Sequence, residues 1–359
     1  MGYRNHVEIA NQVKRKIVVI APLDWGLGHL TRTIALANLL TNFGYEVCFA
    51  IPSHYQKYLK EFPYQTITIA GYNVKYYKHC HPIFSLILQI PKFVFTMYRE
   101  WMAAKKITHK IKPDLIISDN RPFFRTKGIP SYYISHQLQL PLAKPFDKVV
   151  HLFYHYLINR FDHCLVPDFP DRRLSGKLSN PQNLKIPVHF CGLLSRFQSI
   201  TLKESKIEYK ILFIASGPQP ERNVNIDLIS NIFSALPYRC AIVGCSKPTQ
   251  QIHKTPNVDI FNHLPIDLFA ELAQKSEILL SKSGYTTIMD AIALNKPLIM
   301  WPTLGQWEQE YLARHLKDFP GIYVLQDPKE LLGFDFTNIQ KPINKTTNNS
   351  DEILKNIFL

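Results

Sequence analysis

The chain alternates short apolar runs with stretches whose apolar residues recur at helical spacing. Lys16 to Leu23 (KIVVIAPL) is apolar and β-branched, the signature of a strand buried on both faces of a parallel sheet. A turn follows, Asp24-Trp25-Gly26-Leu27-Gly28-His29. Leu30 to Phe43 then shows helical spacing and stops at Gly44, and Glu46 to Ile51 is strand again. This is a βαβ unit. Further strands are predicted at Pro113 to Ser118, Ser131 to Ser135, His163 to Pro167 and Val188 to Gly192. After a polar, unpatterned stretch the rhythm restarts with a strand at Tyr209 to Ala215. Strands at 240–244, 258–261, 278–281 and 297–301 alternate with helices at 225–236, 266–275, 287–294 and 309–318. The pattern predicts an α/β protein of two Rossmann-like parallel-sheet domains facing a cleft. The expected boundaries are a first domain at 16–195, a linker at 196–208, a second domain at 209–335, and a polar tail at 336–359 that ends in a helix.

Composition narrows the classes. With 359 residues, 46% of them apolar and 19% charged, the chain can bury a full core, and disordered and fibrous classes are excluded. The six cysteines are scattered without a CxxC pair, and Met1 to Lys16 is polar with no signal-peptide core. Gly2 is followed by His6 where a myristoylation site needs Ser or Thr. The expectation is a reduced, cytoplasmic protein.

Charge is unevenly placed. Residues 1–208 hold 28 Lys/Arg and 13 Asp/Glu, a net of +15, whereas residues 209–359 hold 14 and 15, a net of −1. One half therefore faces an anionic partner. No helix-turn-helix, zinc-finger or RNA-recognition signature is present, so nucleic acid is not expected. Pro82 to Lys112 runs from a strongly apolar stretch into Arg99, Lys105, Lys106, Lys110 and Lys112. That pattern fits either an interfacial helix on an anionic membrane or a core helix with a basic solvated face.

Four loops carry candidate chemistry. Gly26 and Gly28 precede a helix start, where free N–H groups attract phosphate. His29 sits where a general base belongs, and Arg32 lies close to one turn further on. Thr31 occupies the third glycine position of a nicotinamide fingerprint, so that match fails. Ser281 to Asp290 (SKSGYTTIMD) places Ser283, Gly284 and Thr286 at a helix start as a diphosphate seat, with Asp290 one turn in for ribose hydroxyls. Pro302 to Glu310 (PTLGQWEQE) offers Gln306, Glu308 and Gln309 to polyol hydroxyls. Ser216 to Arg222 opens the second half as a stiff loop whose Arg222 approaches a phosphate. No DxD pair is present, and no metal ligand set is expected.

In combination and order, a G-x-G-H loop, an S-[RK]-S-G-x-x-T-x-x-[DE] turn and a P-T-x-G-Q-x-E-Q-E loop resemble the MurG-like GT-B glycosyltransferases, glycosyltransferase family 28. The first loop is similar to that of uncharacterised bacterial members reading A-P-L-x-W-G-L-G-H-x-x-R. The resemblance spans about residues 16–325. It implies a GT-B fold whose second domain holds a nucleotide-sugar donor, usually UDP-linked, with the acceptor on the first domain and no other cofactor. It places Ser283, Gly284 and Thr286 beside the donor diphosphate, Asp290 on ribose, Glu308 and Gln309 on the sugar, and His29 near the reacting centre. Asp119, Asn120 and Arg121 fall on an acceptor loop that lacks the family's glycines, with His136 at the end of the next strand. Ser216 to Arg222 also departs from the family's Gly-rich loop. The implied reaction is inverting sugar transfer with His29 or Asp119 as base, to an acceptor on a lipid phosphate or anionic membrane. A nucleotide-sugar hydrolase and a non-catalytic nucleotide-sugar-binding protein of the same fold remain as alternatives.

Overall fold

The computed structural model describes residues 15–74, 88–140, 147–198, 200, 205–217, 219–245, 256–342 and 350–359. Residues 82–87 of the expected interfacial stretch, linker residues 199 and 201–204, and Pro218 lie outside the described residues.

Two parallel sheets organise the chain. The first contains β1 (Ile17–Pro22), β2 (Glu46–Ile51), β3 (Gln65–Thr68), β4 (Leu115–Asp119), β5 (Ser131–Ile134), β6 (His163–Val166) and β7 (Val188–Phe190), in the order β3-β2-β1-β4-β5-β6-β7. The second contains β8 (Tyr209–Ile214), β9 (Cys240–Cys245), β10 (Val258–Asn262), β11 (Ser276–Lys282), β12 (Leu298–Trp301) and β13 (Ile322–Val324), in the order β10-β9-β8-β11-β12-β13. The order reverses between β1 and β4 and again between β8 and β11, and ligands bind beyond the strand ends at such switch points.

The apolar run at the start of β1 has a direct cause. Val18 and Ile20 join the cluster under α1 (Leu27–Asn42), while Val19 and Ala21 join the opposite cluster under α2 (Ile90–Ile111), and all four are fully buried. Among the described residues the other α-helices are α3 (Asp147–Ile158), α4 (Glu221–Ala235), α5 (Ile266–Gln274), α6 (Tyr285–Ala293), α7 (Trp307–His315) and α8 (Ser350–Phe358).

Three elements are absent from the sequence reading. β3 is a four-residue strand with mostly exposed side chains, so it carries no alternation. β13 is only three residues long. In α3 the outward positions Val149, Leu152, Phe153 and Tyr156 are apolar too, which blurs the periodicity that marks a half-buried helix.

The halves are joined by packing as well as by the linker. Phe169, Leu174, Leu178, Leu193 and Phe197 share one apolar cluster with Tyr285, Met289 and Leu312 of the second half. The tail ends in an amphipathic helix that returns to the first domain. There Tyr45 Oη donates to the Phe358 carbonyl (2.9 Å), Ser350 Oγ donates to the Leu193 carbonyl (2.9 Å), and Leu354 is fully buried. Leu354→Ala is expected to cost about 2–5 kcal/mol of stability by leaving a cavity. Leu359→Ala, at an exposed position, is expected to change it by less than about 0.5 kcal/mol. Urea unfolding of both variants checks this, and equal effects would contradict the docking of α8.

Candidate active site between the two sheets

The loop after β1 is fixed from beneath. Asp24 is buried and accepts from the backbone N–H groups of Tyr72 and Asn73 (both 3.0 Å) and from Arg121 Nη2 (2.8 Å). Gly26 follows at φ 101°, a conformation open to glycine, and Tyr55 Oη donates to its carbonyl (2.8 Å). α1 begins one residue later, so its first N–H groups face the cleft. Gly28 serves close approach instead of a turn. A Cβ there would lie 2.7 Å from Thr286 Oγ1, so the N-termini of α1 and α6 meet across the domain junction.

Behind that junction lies a connected set of side chains. His29 Nδ1 is 2.9 Å from Asp119 Oδ1, and Asp119 ends β4, adjacent to β1. Arg32 Nε donates to Asp119 Oδ2 (2.7 Å), and its Nη2 donates to Asp119 Oδ1. Arg32 Nη1 lies 2.9 Å from His136 Nδ1, and His136 Nε2 lies 2.9 Å from Glu308 Oε1, which belongs to α7 of the second domain. Arg32 and Asp119 are wholly buried, while His29 is partly exposed to the cleft.

The electrostatics follow from burial and neighbours. Burial pushes the Asp119 carboxyl up, but Arg32 and His29 outweigh it and hold the group down to about 2. Burial also opposes the charge on Arg32, and Asp119 more than restores it. Asp119 is thus an anion; His29 Nδ1 lies 2.9 Å from both Asp119 Oδ1 and Arg32 Nη2, and where Nδ1 carries its proton towards Asp119, Nε2 keeps its lone pair. With both histidines neutral, Arg32, Asp119 and Glu308 leave one surplus negative charge.

The second-domain wall is built from helix starts. Tyr285 and Thr286 open α6, Gln306 precedes α7, and Glu221 and Arg222 open α4. Among the described residues the Nε of Arg222 is buried without a hydrogen-bond partner, and Ser216 and Gln306, shortly before α4 and α7, are half-buried. His263 stacks edge-on against Tyr58 of the first domain (5.1 Å between centroids). Burial, then the cations Arg196, Arg222 and Lys57, push His263 below its ordinary value.

Several expected ligand contacts are placed elsewhere. Arg121, expected on an acceptor loop, is fully buried. It donates to Asp24, to the Pro22 carbonyl (2.8 Å) and towards Glu100 (3.4 Å), so it clamps the first loop. Asn120 has φ 53° and accepts from Tyr133 Oη (3.2 Å). Asp290, expected on ribose, is buried and accepts from Ser195 Oγ (2.6 Å) beside Arg196. Ser283 is fully buried with its hydroxyl donated to the Gln309 carbonyl (2.9 Å), leaving the α6 backbone as the donor surface. The Gln309 side chain accepts from Thr303 N–H (2.8 Å) and so shapes its own loop. In the turn before α6, a Cβ on Gly284 would meet Thr287 Oγ1 at 4.0 Å, an ordinary van der Waals contact.

The sequence reading took Tyr285 as a donor at the helix start; it missed the stacking of that ring on His136 at 4.1 Å, the Asp24–Arg121 clamp, and Lys282, whose Nζ lies 4.7 Å from the Trp301 ring. Only Asp24 had a local signal, a carboxylate inside a glycine turn. Among the described residues no three His, Cys, Asp or Glu side chains group as a metal site.

The Asp119 carboxyl, about 2 when folded against about 3.9 when free, stabilises the fold fully above about pH 5. That contribution fades as pH falls from about 4 towards about 2. The stability difference between wild type and Asp119→Asn is therefore expected to be flat from pH 5 to 8 and to shrink below pH 4. Urea unfolding at stepped pH checks this, and a difference that grows on acidification would contradict it.

Comparison with known proteins agrees with this architecture. Residues 241–356 match the glycosyltransferase family 28 C-terminal domain. The chain is 24% identical over 327 residues to an uncharacterized glycosyltransferase of Methanosarcina acetivorans, covering 82% of this chain and 79% of the relative. A counterpart in Methanosarcina mazei is 22% identical over 320 residues, covering 82% of each. Among solved structures, the spinosyn rhamnosyltransferase SpnG superposes with a TM-score of 0.61 at 19% identity over 87% of each chain. The same enzyme complexed with thymidine diphosphate gives 0.57 at 18% identity over 88% of this chain and 87% of that one. Arabidopsis thaliana UGT89C1 complexed with UDP-L-rhamnose gives 0.61 at 12% identity over 96% of this chain and 94% of that one. The chain thus has the GT-B fold of paired parallel sheets, is similar to glycosyltransferases over most of its length, and over residues 241–356 matches the family 28 C-terminal domain.

Proposed function

We propose that the protein transfers a sugar from a UDP-linked donor to an acceptor hydroxyl, with inversion, and that His29 is the base. The observation that carries this reading is the His29–Asp119 pair at the start of α1, opposite the start of α6. The acceptor oxygen attacks the anomeric carbon as its proton passes to His29 Nε2, and the bond from that carbon to the diphosphate oxygen breaks. The surplus negative charge of the cluster stabilises the imidazolium that forms. Charge developing on the leaving diphosphate meets the N–H groups of Tyr285 and Thr286 at the start of α6, with Arg222 at the start of α4. Glu308, partly exposed, keeps its second carboxylate oxygen for a sugar hydroxyl. The nucleotide-bound neighbours support a nucleoside-diphosphate donor, and the test includes UDP-, TDP- and GDP-sugars. His29→Ala is expected to lower kcat by about 10²–10⁴-fold. Nucleoside-diphosphate release, measured with each sugar, checks this, and full turnover in the variant would remove His29 from the role.

The acceptor side carries a second part of the proposal: the acceptor is presented at an anionic membrane. α2 and α3 lie over the same face of the first sheet, since the Ser118 and Tyr133 positions are aligned and Tyr133 sits in the α3 cluster. Each leaves an apolar row outward. On α2 it is Ile90, Val94, Tyr98 and Met102, and on α3 it is Val149, Leu152, Phe153 and Tyr156. The α2 row continues into Lys105, Lys106 and Lys110, and the one acid of that helix, Glu100, is buried. Apolar rows flanked by cations match an anionic lipid surface, which pairs each cation and covers the exposed rings. Among the described residues no helix is long and apolar enough to cross a membrane. Charge reversal at Lys105, Lys106 and Lys110 is expected to abolish pelleting with phosphatidylglycerol vesicles. Unchanged pelleting, or none by wild type, would end this part of the reading.

A further inference from the structure

His136 belongs to the first domain but faces the second. It follows β5 in a tight turn in which Gln137 N–H donates to Ser135 Oγ (2.9 Å). The next residues are anchored, Leu138 and Gln139 donating to the Leu178 carbonyl (2.7 and 2.8 Å) and Tyr154 Oη donating to the Gln137 carbonyl (2.9 Å). The ring is 5% exposed and lies flat on Tyr285 of α6, at 5° between planes. Tyr285 in turn donates its hydroxyl to the Pro167 carbonyl of the first domain (2.6 Å).

The hydrogen-bond chemistry of this ring allows one arrangement. A guanidinium has donors only, so His136 Nδ1 must accept from Arg32 Nη1. The proton then resides on Nε2, which donates to Glu308 Oε1. The chain Glu308–His136–Arg32–Asp119–His29 is thus continuous from α7 of the donor domain to the cleft-facing imidazole, with Arg32 donating to both His136 and Asp119. Arg32 is held by Asp119 on one side and His136 on the other, and its Nη2 also lies 2.9 Å from His29 Nδ1.

We propose that His136 is a positioning residue that couples the docking of Glu308 in the donor domain to the orientation of Arg32, Asp119 and His29. The inference rests on the sugar-transfer reading and deepens it. Without His136 the Arg32 fork keeps Asp119 but loses its restraint at Nη1, and Glu308 loses its hydrogen bond to the first domain. The base then loses its register with the donor, while the nucleotide surface of α6 and α4 stays as it is. Burial first, then Arg32 and His29, keep His136 below its ordinary value against the opposing pull of Glu308, so the ring stays neutral at pH 7. The groups facing it are Arg32 and His29 of α1, Glu308 of α7 and Tyr285 of α6.

Two substitutions separate this role from packing. His136→Phe keeps a ring on Tyr285 and removes both polar atoms. His136→Gln keeps one acceptor and one donor and removes the titratable ring. The expected result for Phe is a fall in kcat of about 10–100-fold, the scale of a small misplacement of reacting groups, with UDP affinity within about threefold of wild type. For Gln, kcat returns to within about threefold of wild type. Wild-type turnover by the Phe variant, or a Gln variant as slow as the Phe variant, would overturn the proposal. Long-range ¹H–¹⁵N spectra of the histidine rings give a readout independent of turnover. They are expected to show His136 as the neutral Nε2–H form at pH 7, and an Nδ1–H form would overturn the coupling. If the wild type turns over no nucleotide sugar, the sugar-transfer reading fails, while these spectra still test the hydrogen-bond chain.

Discussion

The ion pair between Arg32 and Asp119 fixes the centre of this molecule. Both groups are removed from water, and an isolated charge in such a place costs several kcal/mol. The cost is met here by geometry. The guanidinium donates twice to the carboxylate and once to His136, and the carboxylate has His29 on its remaining side. Removing either partner would strand the other. The same geometry sets the chemistry. Asp119 is locked as an anion, His29 is oriented with one nitrogen towards the cleft, and His136 is obliged to point its proton at the second domain.

The second constraint is distance. Two helix starts can share one ligand only if their backbones come together, and Gly28 against Thr286 is where they do. The parallel sheets make this possible because each delivers its loops to one edge, and the order reversals at β1/β4 and β8/β11 open a crevice there. The apolar cluster shared by Phe169, Leu178, Tyr285 and Leu312, with the returning α8, holds the two edges against each other.

Much of this was legible in the sequence, and the reasons are specific. Strands such as Val18 to Ala21 are covered on both faces, so they read as unbroken apolar runs. The glycine loops read as helix starts because a missing Cβ marks either a left-handed turn, as at Gly26, or a close approach, as at Gly28. The partners that use buried charges were not legible. Arg121 and Asp290 stand in motif positions where ligand contact was expected, yet one is paired with Asp24 and the other with Ser195. Neither partner is near in sequence, and no local pattern encodes a contact across 97 or 95 residues. The coupling of His136 to Glu308 spans 172 residues and was invisible for the same reason. α3 was missed because its solvent side is apolar, the feature that now makes it part of a candidate membrane face.

The central claim is that the α1 and α6 helix starts form a nucleoside-diphosphate seat beside His29. Calorimetric titration of UDP, TDP and GDP into the full chain tests it most directly. The account predicts saturable one-to-one binding of UDP, weaker binding of uridine without its phosphates, and loss of affinity on Thr286→Pro, which removes an N–H from the start of α6. Absence of binding by all three diphosphates, or UDP affinity untouched by that substitution in a folded protein, would contradict it.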